Sequence, residues 1–290
     1  MSTVSVVTGA NSGIGRAIAI HLASRGHEVY GTVRDPARAT KLQAMSADAG
    51  VEVRLVELDV ADDASVRDGL ARVLEEAGKV DVLVNNAGVG PNGVIEETTT
   101  AQFLETMNVN LCGAVRCIQA VLPGMRERRA GSIVNISSVV GRFASPAQAQ
   151  YVASKWAFEG LSEELALELA PFGIRVVIVE PGITKSAIFA KNVDLPPSVG
   201  GYDAHYRRML QFYAAGIPQA TDPFEVGAVI HHAVTTDDPR LRYACSWGGV
   251  ELTNRGAFTD EAWVEVGRAV DDDDYYRRFE KTVGLSIAPV

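Results

Sequence analysis

The segment Thr8-Gly9-Ala10-Asn11-Ser12-Gly13-Ile14-Gly15 lies between a short β-branched run and an apolar pattern with helical spacing. Glycines at such a position let the backbone turn tightly and approach a pyrophosphate, to which the following helix N-terminus offers free N–H groups. The alternative is a glycine-rich turn that binds nothing, which the position after a first strand disfavours. A Walker phosphate loop would need Gly-Lys-Ser/Thr, which is absent. The segment therefore predicts a dinucleotide-binding turn.

Outward from this turn, short β-branched runs alternate with longer helical patterns. Strands are predicted at Val4–Thr8, Glu28–Val33, Glu52–Leu58, Val80–Val84, Ser132–Ser137 and Arg175–Glu180. Helices are predicted at Ile14–Arg25, Ala37–Ala49, Ala64–Ala77, Thr100–Met125 and Ala149–Ala170. Such alternation predicts a parallel sheet with helices on both faces. With right-handed crossovers, the expected fold class is α/β, a doubly wound parallel sheet of the Rossmann type.

The last third of the chain departs from this alternation. Residues 183–218 are rich in proline, glycine and aromatic residues, and we expect a loop with one or two helices that forms a lid. A helix is predicted from Asp222 to Thr235 and a last strand from Arg242 to Ser246. Because no low-complexity linker is evident, we expect a single domain. Residues 1–246 would bind the dinucleotide and carry the catalytic groups, and residues 247–290 would be a tail packed on them.

Composition argues against several other classes of protein. The 290 residues carry a formal net charge of −9 with a pI of about 5.1, and an acidic surface disfavours nucleic acid as a partner. The three cysteines and five histidines show no disulfide or metal-ligand spacing, so no metal site is predicted. Neither a signal peptide nor an apolar run of membrane-spanning length is evident. We therefore expect a cytoplasmic protein with no membrane partner.

The end of the second predicted strand bears on the choice of nucleotide. An acidic side chain there would bind the adenosine ribose hydroxyls and favour NAD(H). The position is Val33, and the next residue is Arg34, whose guanidinium suits a 2′-phosphate. Arg34 could instead be an exposed loop cation that pairs with Asp35. We predict NADP(H), with NAD(H) the less favoured cofactor.

Tyr151 and Lys155 lie four residues apart on a predicted helix and so share one face of it. An ammonium near a phenol favours the phenolate and lowers the phenol's pKa, which makes the pair a candidate general acid/base. Such pairs also arise by chance on helix surfaces. Three further polar or turn segments end predicted strands at the carboxyl edge of the sheet, where sites form in open parallel sheets. These segments are Ser137-Ser138, Asn85-Asn86-Ala87-Gly88 and Pro181-Gly182.

Taken together, these motifs resemble the short-chain dehydrogenase/reductase family in order and spacing, over roughly residues 3–190. The matching motifs are Thr8-Gly9-x-x-x-Gly13-x-Gly15, Asp59, Asn85-Asn86-Ala87-Gly88, Asn110, Ser138, Tyr151-x-x-x-Lys155 and Pro181-Gly182. The segments Val29–Asp35 and Lys155–Leu161 resemble, more loosely, the branch that contains 17β-hydroxysteroid and retinol dehydrogenases.

The resemblance implies catalytic roles for four residues. Tyr151 would protonate the carbonyl oxygen in reduction, or act as the base in oxidation. Lys155 would lower the pKa of that phenol and hold the nicotinamide ribose, while Ser138 would hydrogen-bond the substrate oxygen. Asn110 would shape the main helix and hold a water of the proton relay, a place for which Asn108 is the nearby rival.

The resemblance also implies a set of cofactor contacts. Besides Tyr151 and Lys155, these are Gly9, Asn11, Ser12, Gly13, Ile14, Gly15, Arg34, Asp59, Val60, Asn86, Ala87, Gly88, Pro181, Gly182, Ile183 and Ser186. Ser186 stands where the family often has threonine, a departure that keeps the hydroxyl. No basic residue precedes Gly13, where many NADP-using members have one. Arg34, helped by Ser12, is therefore left to bind the 2′-phosphate.

The expected activity is that of an oxidoreductase that interconverts a ketone or aldehyde and an alcohol by hydride transfer. The lid side chains suit a lipophilic or cyclic small-molecule substrate, or could equally form a small core of their own. They are Phe189, Tyr202, His205, Tyr206, Met209, Phe212 and Tyr213. The alternative from another class is a cofactor-binding sensor or regulator on the same fold, which would be expected to lose the Tyr, Lys or Ser. The resemblance further implies a homodimer or homotetramer.

Overall fold

A seven-stranded parallel sheet forms the centre of the chain, of which the computed structural model describes residues 2–186, 200–254, 256 and 258–289. The strands are β1 (Val4–Val7), β2 (Glu28–Val33), β3 (Val53–Glu57), β4 (Val82–Asn85), β5 (Gly131–Ile136), β6 (Ile174–Pro181) and β7 (Arg242–Cys245). Their spatial order is β3-β2-β1-β4-β5-β6-β7, with every neighbouring pair parallel. The order reverses between β1 and β4, which confirms the doubly wound sheet expected from the sequence.

Helices cover both faces of this sheet. The α-helices of the described residues are α1 (Gly13–Ser24), α2 (Thr40–Asp48), α3 (Asp63–Ala77), α4 (Thr100–Met107), α5 (Gly113–Arg128), α6 (Ala149–Leu169), α7 (Asp203–Gly216), α8 (Pro223–Thr235), α9 (Gly249–Thr253), α10 (Asp260–Gly267) and α11 (Asp272–Val283). One hydrophobic core lies between the sheet and α3, α5 and α6, and the other between the sheet and α1 and α8. Both faces of the strands are therefore buried, as their continuous apolar sequences require.

Two predicted helices differ in detail from those in the structure. The helix predicted from Thr100 to Met125 contains a π-helical turn, Asn108–Cys112, between α4 and α5. Turns of this type insert one extra residue into a helix and often occur at functional sites. The helix predicted from Ala37 begins instead at Thr40, because Asp35 and Pro36 start a separate 3₁₀ turn.

A third hydrophobic cluster joins the lid to the end of the chain. Phe212 of α7 lies with its ring centroid 6.4 Å from that of Phe279 in α11, and Phe143 lies 5.7 Å from Trp263 of α10. Helix α11 begins within a run of four acidic residues, Asp271–Asp274, and the Asp271 carboxylate caps it by accepting a hydrogen bond from the Asp274 N–H at 2.7 Å. Of the predicted lid, residues 187–199, which include Phe189, lie outside the described residues.

Within the described part of the chain, no helix is both long enough and apolar enough to cross a bilayer. The same residues contain no group of three or more His, Cys, Asp or Glu side chains arranged to hold a metal ion.

Candidate active site

The residues singled out from the sequence lie along the carboxyl edge of the sheet, or on the helices that begin there. Residues 9–15 connect β1 to α1, and Arg34 follows β2. Asp59 and Val60 follow β3, residues 86–88 follow β4, and Ser138 follows β5. Tyr151 and Lys155 are in the first turns of α6, and residues 181–186 end β6 and extend beyond it. Asn110 approaches from the π-helical turn.

The glycine turn has the close backbone packing that its sequence predicts. A Cβ on Gly15 would lie 2.3 Å from Asn86 Nδ2 and 2.5 Å from the Gly9 carbonyl oxygen, so no larger residue fits. Gly13 has φ +53°, in the left-handed region that favours glycine, and a Cβ there would lie 3.1 Å from the Ser186 Cβ. Ser12 precedes α1 without capping it through its side chain. The N-terminus of α1 and the segment after β6 therefore face each other.

Thr8 fastens the glycine turn to the end of β4, a role that sequence reasoning missed. Its Oγ1 accepts hydrogen bonds from the Asn86 N–H at 2.9 Å and the Ala87 N–H at 3.0 Å. The Asn86 side-chain amide in turn donates to the Thr8 carbonyl at 2.8 Å. The sequence did contain a signal for this contact, namely a threonine directly after β1 together with Asn85-Asn86 at the end of β4.

The residues expected at the adenine end follow β2 and β3, which are neighbours in the sheet. The Asp59 carboxylate accepts a hydrogen bond from the Ala61 N–H at 3.0 Å, and Val60 is buried against Gly113. Arg34 is exposed, and no ion pair between described residues includes it. Asp35, the alternative partner, instead accepts a hydrogen bond from the Ala37 N–H at 3.0 Å.

Ser138, Tyr151 and Lys155 converge where β5 meets α6. Ser138 begins a 3₁₀ turn, its Oγ accepting from the Val140 N–H at 3.3 Å, and its hydroxyl faces the Tyr151 phenol. Lys155 is 5% exposed, and its ammonium donates to the Ile136 carbonyl at 2.8 Å. The Lys155 Nζ lies 5.9 Å from the centroid of the Tyr151 ring. A hydroxyl, a phenol and an ammonium therefore face one point at the carboxyl edge of the sheet.

Burial sets the net direction of the Tyr151 pKa. It raises the pKa of the phenol, and the neighbouring Ser138 hydroxyl offsets only part of that rise. That Lys155 lowers the pKa of Tyr151 stays a prediction about one contribution to this net value. The physical reason is desolvation, which disfavours the phenolate, while the ammonium is engaged by the Ile136 carbonyl.

Asn110 joins the loop after β4 to helix α6. Its side-chain amide donates to the Val89 carbonyl at 2.8 Å and to Ser154 Oγ at 2.9 Å, and its Oδ1 accepts from the Val89 N–H at 2.8 Å. Ser154 immediately precedes Lys155 in the chain. Asn108, the rival candidate, donates instead to the Ala61 carbonyl at 3.2 Å, on the α3 side of the helix.

Two hydrogen bonds hold the segment after β6 against the end of β7. The Gly182 N–H donates to the Cys245 carbonyl at 2.9 Å, and the Ile183 N–H donates to the Trp247 carbonyl at 3.0 Å. Trp247 packs its ring 5.8 Å from Phe212 of the lid helix. The segment that starts at Pro181 is thus fixed from the tail side as well as from the sheet.

The lid side chains differ in how deeply they are buried. Tyr206, Met209, Phe212 and Tyr213 are buried in the third hydrophobic cluster, which favours the interpretation that they form a core of their own. The Tyr213 hydroxyl accepts a hydrogen bond from the Gln148 side chain at 2.6 Å, just before α6 begins. The lid helix is therefore attached to the start of the helix that carries Tyr151.

Comparisons with known proteins agree with this geometry. A family model described as short chain dehydrogenase matches residues 3–195, which extend from β1 past the end of β6. A 3-ketodihydrosphingosine reductase from Bacteroides thetaiotaomicron is 38% identical over 242 residues, covering 82% of this chain and 86% of that protein. The 17-beta-hydroxysteroid dehydrogenase type 1 of Homo sapiens is 37% identical over 254 residues, covering 83% and 76%.

A solved structure shares the architecture as well. It is an alcohol dehydrogenase from the archaeon Thermococcus sibiricus, complexed with 5-hydroxy-NADP. It superposes with a TM-score of 0.70 at 27% sequence identity, covering 85% of this chain and 97% of that chain.

Proposed function

The chain belongs to the short-chain dehydrogenase family and is an oxidoreductase that acts on CH–OH groups, and we propose that it interconverts a lipophilic ketone or aldehyde and the corresponding alcohol with NADP(H). The branch that the sequence resembles includes the 17β-hydroxysteroid dehydrogenases, and the relative of that name supports the proposed class of substrate. One observation carries the proposal: the hydroxyls of Ser138 and Tyr151 face each other beside the Lys155 ammonium, at the sheet edge that holds the glycine turn.

The residues present fit a nicotinamide dinucleotide. Gly13 and Gly15 add no side chains to the glycine turn, and the side chain of Ser12 does not cap the N-terminus of α1. The N–H groups at that N-terminus therefore suit a pyrophosphate. Residues 86–88 and 181–186 would flank the nicotinamide end, and Asp59 and Val60 the adenine. When bound, the cofactor supplies or accepts a hydride.

Tyr151 is proposed as the proton donor in reduction and the acceptor in oxidation. Its phenol faces the Ser138 hydroxyl, which would orient a substrate oxygen at the same point. A positioned acid of this kind contributes about 10²–10⁴-fold to a rate. Lys155 would hold the ribose and supply positive charge, and Asn110 would fix the start of α6 through Ser154.

The proposed substrate is lipophilic. Two relatives of similar identity are named for 3-ketodihydrosphingosine and for 17-beta-hydroxysteroids, both of which carry extended hydrocarbon frameworks. The aromatic cluster of Phe143, Phe212 and Trp247 borders the segments that carry Ser138 and Gly182, so the catalytic groups lie beside an apolar part of the protein.

The direct test measures binding of NADPH and NADH by fluorescence titration, then turnover with the tighter cofactor. The substrates are 3-ketodihydrosphingosine and a 17-ketosteroid, with acetone as a small polar control. We expect kcat/KM for at least one lipophilic ketone to exceed that for acetone at least tenfold. Binding of cofactor without turnover of any carbonyl would instead support the sensor alternative, and failure to bind either cofactor would refute the proposal.

Arg34→Ala is expected to raise the dissociation constant of NADPH by about tenfold to hundredfold, because a charge-assisted contact with the 2′-phosphate is lost. The dissociation constant of NADH should change little, since NADH has no such phosphate. Fluorescence titration of the wild type and the variant with each cofactor measures the two dissociation constants and their ratio. Arg268→Ala, an exposed arginine at the end of α10, is the control and should leave both constants unchanged. Equal weakening of NADPH and NADH by Arg34→Ala would contradict the 2′-phosphate role.

A homodimer or homotetramer is also proposed. The exposed surfaces of α4 and α6 carry the large apolar side chains Leu104, Trp156 and Leu167, which a second subunit would bury. Light scattering at micromolar concentration should give at least twice the 31.0 kDa mass of the chain. A monomer across that concentration range would refute the assembly.

A further inference from the structure

A cluster of buried charges lies directly behind the catalytic lysine. Glu159 follows Lys155 by four residues on α6, so the two side chains share one face of the helix. That face is turned inward, and Glu159 is 4% exposed. Nothing in the acid/base chemistry proposed above uses a carboxylate at this place.

Arg242 of β7 holds the Glu159 carboxylate in position. The Arg242 Nε lies 3.1 Å from Glu159 Oε2 and 3.4 Å from Glu180 Oε1, and the same guanidinium pairs with Glu163. Arg142, in the turn after Ser138, lies 3.9 Å from Glu180. The Glu159 cluster, defined as these five residues, thus links α6, β6, β7 and the Ser138 turn.

Stability alone does not account for burying this carboxylate. Glu159 Oε1 has no hydrogen-bond partner among the described residues, and Ser137 Oγ nearby also has none. A buried ion pair costs about as much in desolvation as its attraction returns, and an unpartnered oxygen adds to that cost. The charge does, however, act strongly on neighbouring groups, because charges interact more strongly in the poorly polarisable interior than in water.

Lys155 is the neighbouring group that responds. Burial lowers the pKa of the Lys155 ammonium to about 8, and the Glu159 carboxylate opposes that change. Burial, followed by the charge of Glu159, raises the pKa of Glu180 to about 7. Near neutrality, therefore, Glu180 is only partly ionised. The other titratable groups facing this region are Arg142, Glu163, Arg242 and Cys245, with Glu105 of α4 exposed to solvent.

We propose that Glu159 is a positioning residue for the acid/base pair: its negative charge, which Arg242 partly offsets, keeps Lys155 an ammonium beside Tyr151. This inference rests on the proposed function, because it assigns Tyr151 and Lys155 to catalysis. In carbonyl reduction the reactive form of the pair has both the phenol and the ammonium protonated. A nearby negative charge disfavours the loss of a proton from either group.

The test compares the pH profile of kcat for carbonyl reduction in the wild type and Glu159→Gln. We expect the alkaline limb of Glu159→Gln to move to lower pH by roughly one unit. At pH values above both limbs, kcat of the variant would then be about tenfold lower than that of the wild type. Glu159→Asp keeps the carboxylate, so its alkaline limb should lie close to that of the wild type. Glu163→Gln is the matched control: this residue shares Arg242 as partner, but its side chain is 54% exposed, and the limb should stay in place.

A second variant keeps the proposal testable if Glu159→Gln does not fold. Arg242→Gln removes the opposite charge and should move the alkaline limb to higher pH. An alkaline limb of Glu159→Gln that coincides with the wild type, or shifts of the same sign in Glu159→Gln and Arg242→Gln, would overturn the proposal. A merely structural contact would lower kcat without moving the limb in these opposite directions.

A readout without turnover separates this inference from the proposed function. The acetylation rate of Lys155 by acetic anhydride, followed against pH by peptide mass spectrometry, reports how easily the ammonium loses its proton. Acetylation in Glu159→Gln should begin at lower pH than in the wild type. If the wild type turned over no carbonyl, the proposed function would fail, while the acetylation profile would still decide whether Glu159 holds the charge of Lys155.

Discussion

Tyr151→Phe is expected to lower kcat for carbonyl reduction by about 10²–10⁴-fold while leaving the dissociation constant of NADPH within about threefold of the wild type. The substitution removes one oxygen and keeps the ring, which packs at the edge of the third hydrophobic cluster. The Tyr151 hydroxyl, which faces Ser138, is the group proposed to transfer the proton, so its removal affects the chemical step and leaves the glycine turn unchanged. Single-turnover reduction, monitored by the absorbance of NADPH, measures the effect.

Tyr243→Phe is the matched control for Tyr151→Phe. The Tyr243 hydroxyl lies on β7 and accepts a hydrogen bond from the Arg240 N–H at 3.0 Å, away from Ser138. Its removal should change kcat by less than about twofold. A Tyr151→Phe enzyme with near-normal turnover would show that another group, or water, supplies the proton, and the mechanism proposed here would then be wrong.

The sheet and the convergence of the catalytic motifs could be predicted from sequence because both follow from local rules. Each parallel strand ends on the same edge of the sheet, so motifs that follow strands meet without further information. The apolar run from Ile174 to Val179 already implied a strand with both faces covered. Ser138, Asn86 and Gly182 were therefore placed correctly at one edge before any contact between them was known.

The groups that tune the site could not be predicted in the same way. Arg242 pairs with Glu159 across 83 positions of sequence. Arg242 belongs to no motif identified in the sequence, and the resemblance of Lys155–Leu161 gave Glu159 no role. The π-helical turn at Asn110 has no local composition signal, because its extra residue is accommodated by side-chain bonds to Val89 and Ser154. The net pKa of Tyr151 depends on how much solvent the folded chain excludes, a quantity that four-residue spacing does not contain.

Gly182→Ala is expected to destabilise the protein by about 2–4 kcal/mol, the sum of overpacking and a disturbed backbone hydrogen bond. A Cβ on Gly182 would lie 1.9 Å from the Trp247 carbonyl oxygen and 2.9 Å from its carbonyl carbon. Both are backbone atoms, so no rotamer change can relieve the contact. The chain after β7 must move, and the bond from the Ile183 N–H to the Trp247 carbonyl is strained or lost.

Gly160→Ala provides the matched control for Gly182→Ala, because the same methyl group is added where nothing lies within 4 Å. Gly160 is in the middle of α6, so alanine there should stabilise the protein by about 0.5–1 kcal/mol through helix propensity. Urea unfolding at one pH measures both changes. If the free energy of unfolding of Gly182→Ala lay within about 0.5 kcal/mol of the wild-type value, the chain after β7 would be able to move away from the added methyl group at little cost. In that case the tail could not hold the segment from Pro181 to Ser186 in place against the glycine turn, and the geometry of that side of the site would have to come from the sheet alone.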